Sequence, residues 1–434
     1  MFSAVVIAVC AIALAMLLVN LNFLSVGLAC TITVMPLFVI RPEAYFIFFL
    51  LSRPLADAFA GYSLGGVLNP AALYTMLLLV VCGALLLRKE KLAQVRKNRV
   101  LARFNLIFGF FLVACFASLF NSQYLKFSCF DFLRLVSVLV AVNYCVAYFP
   151  GKKKARLFFT LIVASSIVPI AMAAMQFIFK RGFIESGFNR VSGTFLHPNG
   201  FSQYLTMVFL VVFYLIQSRE RTRKQRLFLY GYLGVVASAL FMTYTRGAWI
   251  GVSAAFMFFL FVKNSFRTKA GYFILALIVL AALMPTIQKR FSEVEKRKQE
   301  DLSSWQWRIQ QWKQTADFVR EDPVVGKGIG VFEIVFDIGV HNDYLRIAYE
   351  TGFSGLLSYV GLLLYLLFAA IARLRRATDQ EEINRYKLAA SLVIAFMLMS
   401  FSDNLLRGTI ILLYYFAVIV YCLAHRPQLT EEAV

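Results

Sequence analysis

Histidine is rare in this chain, and one of its three histidines lies in a segment with the residue types for acid–base chemistry. His341 stands directly before Asn342 and Asp343 in "GVHNDYLRIAYETG". Asn342 or Asp343 can cap a helix that begins at Tyr344, which places the imidazole at the positive end of that helix and favours the neutral ring. A neutral imidazole accepts a proton near pH 7, so we predict that His341 is a general base. The alternative is a surface histidine beside a helix cap.

Three arginines have the chemistry to bind a phosphate group near His341. Arg246 lies in "MTYTRGAWIGV", a short polar interruption between two apolar segments, where an arginine is costly unless it is paired or faces a wet cavity. Arg190 lies in "FNRVSGTFLHPNG", and Arg308 lies in the long polar segment before the histidine. A guanidinium group matches phosphate oxygens through two parallel hydrogen bonds. The alternatives are snorkelling of Arg246 to lipid phosphates and plain interface anchoring by the other two.

Further polar residues have positions from which they can orient this group. Asp403, Asn404 and Arg407 follow an apolar segment, and they either balance the charges of the site or form a satisfied turn. The carboxylates do not form a paired Asp motif or a calcium-loop spacing, and no His/Cys ligand set is present in the sequence. We therefore predict chemistry that needs no metal and no cofactor.

Two short helices are predicted around the histidine. Trp305, Arg308 and Trp312 are spaced i, i+3, i+7, which places them on one helix face. That face is either an interfacial anchor or a platform on which a sugar stacks. Opposite charges three and four residues apart predict the second helix and two ion pairs in it, formed by Asp343, Arg346 and Glu350.

The elements that position these residues must lie in a membrane. The chain has 434 residues, of which 60% are hydrophobic and only 15% are charged, so an all-α polytopic membrane protein is predicted. Apolar runs long enough to cross a bilayer give twelve to fourteen spans. The fourteen candidates lie near 4–19, 23–40, 43–60, 71–87, 104–120, 130–149, 156–179, 200–217, 226–243, 247–262, 270–285, 353–371, 388–403 and 408–424.

The net charge of +21 predicts an orientation rather than nucleic-acid binding. Lys and Arg cluster in short connections that fall on one side if the spans alternate, and the positive-inside rule makes that side cytoplasmic, together with both termini. The first apolar run is expected to be a retained span. The long loop 286–352 then lies on the outer face, between a membrane region at 1–285 and a C-terminal membrane region at 353–434.

The motifs resemble those of the O-antigen ligase and Wzy-type polymerase superfamily of bacterial membrane glycosyltransferases. "TRGAWI" is similar to the family's Arg-x-x-x-Leu motif, with Ile250 in place of the leucine, and "DPVVGKGIGVF" is similar to its glycine-rich approach to the histidine. The other matching positions are Gly193, Thr194, Phe195, Pro198, Asn199, His341, Asn342 and Gly352.

The resemblance implies an inverting, metal-independent enzyme of the GT-C type in the inner (cytoplasmic) membrane, with its active site on the periplasmic face. The donor would be a glycan linked to undecaprenyl diphosphate, and the acceptor would be a glycan or a lipid A-core sugar. His341 would activate the acceptor hydroxyl and Arg246 would bind the diphosphate. The substrate-binding residues would be Arg190, Arg308, Asn342 and Asn199.

Other functions remain open at this point. A ligase and a polymerase share the donor and differ only in the acceptor, whereas a protein O-glycosyltransferase is disfavoured because the chain ends shortly after its last span. A transporter or flippase would be favoured by ionisable residues within a span, but Asp131 and Arg134 are spaced as a structural ion pair. A phosphate loop at "GKGIG" is not expected, since no strand precedes it.

Overall fold

The computed structural model describes residues 42–59, 61, 70–185, 188–263, 304–336 and 339–425. The predicted spans at 4–19, 23–40 and 270–285 lie outside these residues. The described part of the chain forms fifteen α-helices: α1 (Pro42–Ala56), α2 (Pro70–Leu86), α3 (Lys89–Lys97), α4 (Arg99–Ser118), α5 (Leu125–Tyr148), α6 (Gly151–Ala164), α7 (Ile167–Ile178), α8 (Pro198–Ile216), α9 (Arg223–Met242), α10 (Arg246–Phe261), α11 (Ser304–Glu321), α12 (Phe332–Phe336), α13 (Asp343–Arg376), α14 (Gln380–Ser402) and α15 (Thr409–Ala424).

The remaining described elements are short. Strands β1 (Phe183–Glu185) and β2 (Phe188–Arg190) pair antiparallel and bring Phe183 opposite Arg190. Single 3₁₀ turns lie at Asp57–Phe59, Leu119–Asn121 and Leu405–Arg407.

The predicted all-α polytopic membrane fold is confirmed. Six helical segments in the described residues are long and apolar enough to cross a membrane, or seven if α2 and α3, which meet at 90°, form one span. α10 and α15 are shorter apolar helices. Each of the other eleven predicted spans falls on described helices, and the total of twelve to fourteen stays a prediction.

Helices α14 and α15 form the centre of the bundle. Every residue of α15 from Ile410 to Ala424 is buried, and α14 packs against α8, α10, α13 and α15. The 23 residues of α14 span about 35 Å at 1.5 Å per residue, which is enough to cross the hydrocarbon core. The C-terminal end of α14 is therefore held in place by the packing of the whole bundle.

The two ends of the bundle differ in charge. α13 runs from Asp343 to Arg376, and α14 returns from Gln380 to Ser402. Polar contacts tie the basic connections together at the Arg376 end: Lys91 to Ala147, Asn98 to Ala424, Lys263 to Ala377 and Asn384 to Gln217. The grouping agrees with the predicted clustering of basic residues on one side, and it leaves Asp343 and Ser402 at the opposite end.

Gly352 divides α13 into a short first part and the membrane span. Its φ of 66° lies in the left-handed region, and a Cβ there would collide with the carbonyl of Val324. The N–H of Phe353 donates to the carbonyl of Pro323 at 2.7 Å. The chain can therefore leave the first part of α13 at this position only because residue 352 has no side chain. The kink agrees with the predicted start of a span at residue 353.

The glycine-rich segment before α12 caps the first part of α13. Gly326, Gly328 and Gly330 all have positive φ. The N–H groups of Lys327 and Gly328 donate to the carbonyls of Tyr349 and Glu350, which are the last of that helical part. These two N–H groups therefore form hydrogen bonds within the protein.

Candidate active site

His341 is held by an aspartate that is distant in sequence. Its Nδ1 lies 3.2 Å from Oδ1 of Asp403, and the two side chains are 29% and 13% exposed. A carboxylate that accepts from Nδ1–H fixes the tautomer in which Nε2 of a neutral ring carries the lone pair. The backbone of His341 has a φ of 49°, an uncommon conformation for a residue with a side chain. The contact with Asp403 therefore fixes the orientation of the His341 ring.

Asp403 is itself fixed from two directions. Nε2 of Gln203 donates to Oδ2 at 2.9 Å, and the N–H of Asn404 donates to Oδ1 at 2.9 Å. Burial alone would raise the pKa of Asp403, but the hydrogen bond and charge of His341, the Asn404 N–H and the Arg308 charge together lower that pKa below its ordinary value. Asp403 is therefore ionised at neutral pH and can hold the imidazole.

Helix α11 brings Arg308 next to the His341–Asp403 pair. Nη1 of Arg308 donates to the carbonyl of Ser402 at 3.1 Å, directly before Asp403. One turn further, Nε1 of Trp312 donates to the carbonyl of Val340 at 3.0 Å, and its ring packs edge-on against Phe401. Trp312 thus fastens α11 to the segment that carries His341. The side chain of Trp305 lies outside the described residues, so a sugar platform stays a prediction.

Arg190 and Asn199 form a second cluster. Arg190 is buried, and its Nη2 donates to Oδ1 of Asn199 at 2.9 Å and to Oγ1 of Thr245 at 3.2 Å. Its Nε donates to the carbonyl of Thr243 at 2.8 Å. Arg190 therefore ties β2 to the start of α8 and to the turn between α9 and α10.

Arg246 begins α10 directly after that turn, between the two clusters. Thr245 on one side of it contacts Arg190 and Asn199. Gly247 on the other side packs so closely on Ser402 that a Cβ would collide with the Ser402 hydroxyl. Arg246 is therefore next in sequence to a residue that contacts the Arg190–Asn199 cluster and to a residue that contacts Ser402, directly before Asp403.

The side chains of Asn342 and Asp343 accept hydrogen bonds from backbone N–H groups. Oδ1 of Asn342 accepts from the N–H of Leu345 at 3.1 Å, so Asn342 is the N-cap and α13 begins at Asp343, one residue earlier than predicted. The predicted pair of Arg346 and Glu350 forms at 3.0 Å. The carboxyl group of Asp343 does not form the predicted pair with Arg346, because it accepts from the N–H groups of Leu405 and Leu406.

The structure thus brings His341, Asn342 and Arg308 to the end of α14, and it joins Arg190 to Asn199 beside Arg246. Of the suggested orienting residues, Asp403 contacts the histidine, Asn404 accepts from the N–H of Asn342 at 3.2 Å, and Arg407 pairs with Glu333 at 2.7 Å. Their roles in a reaction stay predictions.

Gln203 is the residue that sequence reasoning missed. It lies one turn after Asn199 on α8, so the two side chains share a helix face. Asn199 holds Arg190, and Gln203 holds Asp403, which makes α8 the element that links the two clusters. The spacing of two amides on an otherwise apolar helix was the available signal.

Comparison with protein families identifies part of the chain. Residues 231–360 match the family model Wzy_C, described as O-Antigen ligase. This stretch matches an O-antigen ligase domain. The matched stretch of that domain contains Arg246, Arg308, His341 and Gly352, whereas Arg190 and Asn199 precede it. The resemblance to the O-antigen ligase and Wzy superfamily is therefore confirmed. A search of curated proteins gives no significant match.

Proposed function

We propose that the protein transfers a glycan from undecaprenyl diphosphate to a hydroxyl group of a lipid A-core sugar. The observation that carries this proposal is the His341–Asp403 pair, in which Nδ1 lies 3.2 Å from Oδ1. The pair lies beside Arg308 at one end of the helical bundle, and the stretch that contains His341 matches the O-antigen ligase family model. A neutral base supported by a carboxylate suits activation of an acceptor hydroxyl. Nearby guanidinium groups suit a diphosphate leaving group.

The proposed reaction is a single displacement. Nε2 of His341 accepts the proton of the acceptor hydroxyl while that oxygen attacks the anomeric carbon of the donor. The bond from this carbon to the diphosphate oxygen breaks, its electrons leave with the diphosphate, and the configuration inverts. Asp403 stabilises the imidazolium that forms, in the manner of other buried carboxylate–histidine pairs.

Arg246 is the proposed ligand of the departing diphosphate. It occupies the first position of α10, where the backbone N–H groups and the helix dipole also favour negative charge. Arg308 would assist from the side of Asp403. Arg190 would act with Asn199 on the same substrate region, and its buried contacts would fix the turn that presents Arg246. The chemistry would be metal-independent, so EDTA is expected to leave transfer unchanged.

The proposed location of the site is the periplasmic face of the inner membrane. The basic connections gather at one end of the bundle, and the site lies at the other. Under the positive-inside rule, the basic end is cytoplasmic. A carrier-linked glycan could then reach the site from the outer leaflet.

The proposal is tested with purified full-length protein and a purified carrier-linked glycan. His341→Ala should lower the transfer rate about 10²- to 10⁴-fold, which is the usual worth of general-base catalysis. His425→Ala is the matched control, since His425 lies at the basic end of the bundle. Thermal melting shows whether both variants fold. Full activity of a folded His341→Ala protein would refute the assignment of the base.

A polymerase that extends the carrier-linked chain is the second candidate, because the matched family model carries the Wzy name and the donor chemistry is the same. Deletion of the gene separates the two functions. Loss of a ligase should leave long polymer on the carrier, whereas loss of a polymerase should leave single repeat units. Unchanged lipid-linked glycans would speak against both.

A further inference from the structure

We propose that Asp343 and Arg134 are positioning residues that hold the segment 403–407 and thereby aim Asp403 at His341. The inference rests on the proposed function, because it concerns how the base of that reaction is aligned. Neither residue contacts the imidazole through a described hydrogen bond. Both bind the backbone of the segment that carries its aspartate partner.

Hydrogen bonds join residues 341–343, in order, to residues 403–406. His341 bonds to Asp403, and the backbone N–H of Asn342 donates to Oδ1 of Asn404 at 3.2 Å. The third residue is Asp343, whose Oδ2 accepts hydrogen bonds from the N–H of Leu405 at 2.9 Å and from the N–H of Leu406 at 3.2 Å. Three consecutive residues therefore fix the register of the two segments.

Arg134 holds the opposite polar groups of the same turn. Its Nη1 donates to the carbonyl of Leu406 at 2.6 Å. Asp131 fixes the guanidinium through two hydrogen bonds of 2.8 and 2.9 Å, which is the structural pair that the sequence predicted. Asp343 thus takes the N–H groups of this turn, and Arg134 takes a carbonyl. Together they join the turn to α5 and α13 through both kinds of backbone group.

The side chains that hold the 403–407 turn from α13 are buried, so few other groups can reach them. Asp343 is fully buried at the first position of α13, and the charged groups that face it are Arg346 and Asp403. Arg346 pairs with Glu350 and lies 3.9 Å from Asp131, which ties the first part of α13 to α5. A loosened turn would move Asp403 with respect to His341, and a misplacement of about 1 Å can cost about 10²-fold in rate.

The experiment measures kcat, KM for the carrier-linked donor and the pH profile of transfer in Asp343→Asn, Asp403→Asn and the double variant. Asn keeps the shape of Asp343, but its NH2 group replaces one acceptor oxygen, so a donor would face the Leu406 N–H that now donates to Oδ1 at 3.2 Å. We expect Asp343→Asn to lower kcat about 10- to 100-fold with KM within about twofold. The pH profile of transfer should also differ from that of wild type, because the carboxylate of Asp403 is no longer held against the imidazole.

The double variant shows whether Asp343 acts through Asp403. If it does, the double variant should be no slower than Asp403→Asn alone, since the two changes remove the same effect. Multiplicative losses would overturn the inference while leaving the proposed function intact. Full activity of His341→Ala would instead overturn the proposed function itself.

Three further variants separate positioning from stability. Asp57→Asn removes the carboxylate that pairs with the buried Arg53 at the end of α1, and it should lower the melting temperature without moving the pH profile. Arg134→Lys, which retains one donor for the Leu406 carbonyl, should recover part of the kcat lost in Arg134→Gln. A pH profile of Asp57→Asn that changes as in Asp343→Asn would contradict the inference, as would equal kcat in both Arg134 variants.

Discussion

Two amide side chains on α8 stand one turn apart, and each serves a different half of the site. Asn199 accepts from Arg190, and Gln203 donates to Asp403. The charged residues are therefore not aligned by one another alone. Neutral side chains on a buried helix connect the Arg190–Asn199 pair with the His341–Asp403 pair without adding charge.

At the scale of single residues, we predict that Arg246→Lys loses most of the transfer activity although it keeps its charge. A lysine cannot reproduce two parallel hydrogen bonds to a diphosphate. A hydrogen bond to a charged group is worth about 1.5–3 kcal/mol, so the rate should fall about 10- to 100-fold. Arg320→Lys, on the exposed surface of α11, is the control for general effects. Near-normal transfer by the Arg246 variant would favour snorkelling to lipid phosphates.

The pH dependence of the melting temperature should show over which pH range Asp403 is ionised in the folded protein. Its pKa is lower in the folded protein, so its charge stabilises the fold above the unfolded pKa, and this contribution is lost as the pH falls through the folded pKa. The difference in melting temperature between wild type and Asp403→Asn should not shrink from pH 8 to 5. It should shrink only below about pH 4, the ordinary value for aspartate. A difference that fades near pH 6 would mean that Asp403 is not held as a carboxylate.

At the scale of elements, the shape of α13 depends on one residue. Gly352→Ala would place a methyl group against the Val324 carbonyl at a positive φ, so we expect a loss of at least about 2 kcal/mol in unfolding free energy. Gly361→Ala is the matched control in the same helix, because a Cβ there meets nothing within 4 Å. The first variant should melt at a clearly lower temperature than the second. Equal melting temperatures would show that the kink is not a constraint.

Most elements could be predicted from the sequence, because apolar length alone defines a membrane helix. Eleven predicted spans fall on described helices, and the kink at Gly352 coincides with a predicted span boundary. The hairpin of β1 and β2 was not predicted, since two strands of three residues leave no periodic signal.

The parts of the site could be predicted only where one segment contains the signal. His341 and Arg246 stand out because a rare or charged residue interrupts an apolar context. The pairing of Gln203 with Asp403 joins residues 200 positions apart, and that of His341 with Asp403 joins residues 62 apart. Local spacing does not determine such distances, which follow from the packing of α8, α13 and α14.

At the scale of the whole molecule, the difference between the two ends predicts how the bundle lies in the membrane. Single cysteines are introduced at Asp317 or Gln94 in a protein whose seven native cysteines are replaced. Both positions are exposed, the first on α11 near the site and the second on α3 at the basic end. A membrane-impermeant thiol reagent added to intact spheroplasts should label the first and not the second. The reverse pattern would place the site in the cytoplasm.

The central position of α14 and α15 has a consequence for biosynthesis. Asp403 follows α14, and the fully buried α15 comes after it in the chain. A ribosome delivers residues in order, so Gln203, Arg246 and His341 are made before Asp403. In the described part of the chain, α14 and α15 also pack against helices that precede them. The His341–Asp403 pair can therefore form only after α14 has joined the helices that were made before it.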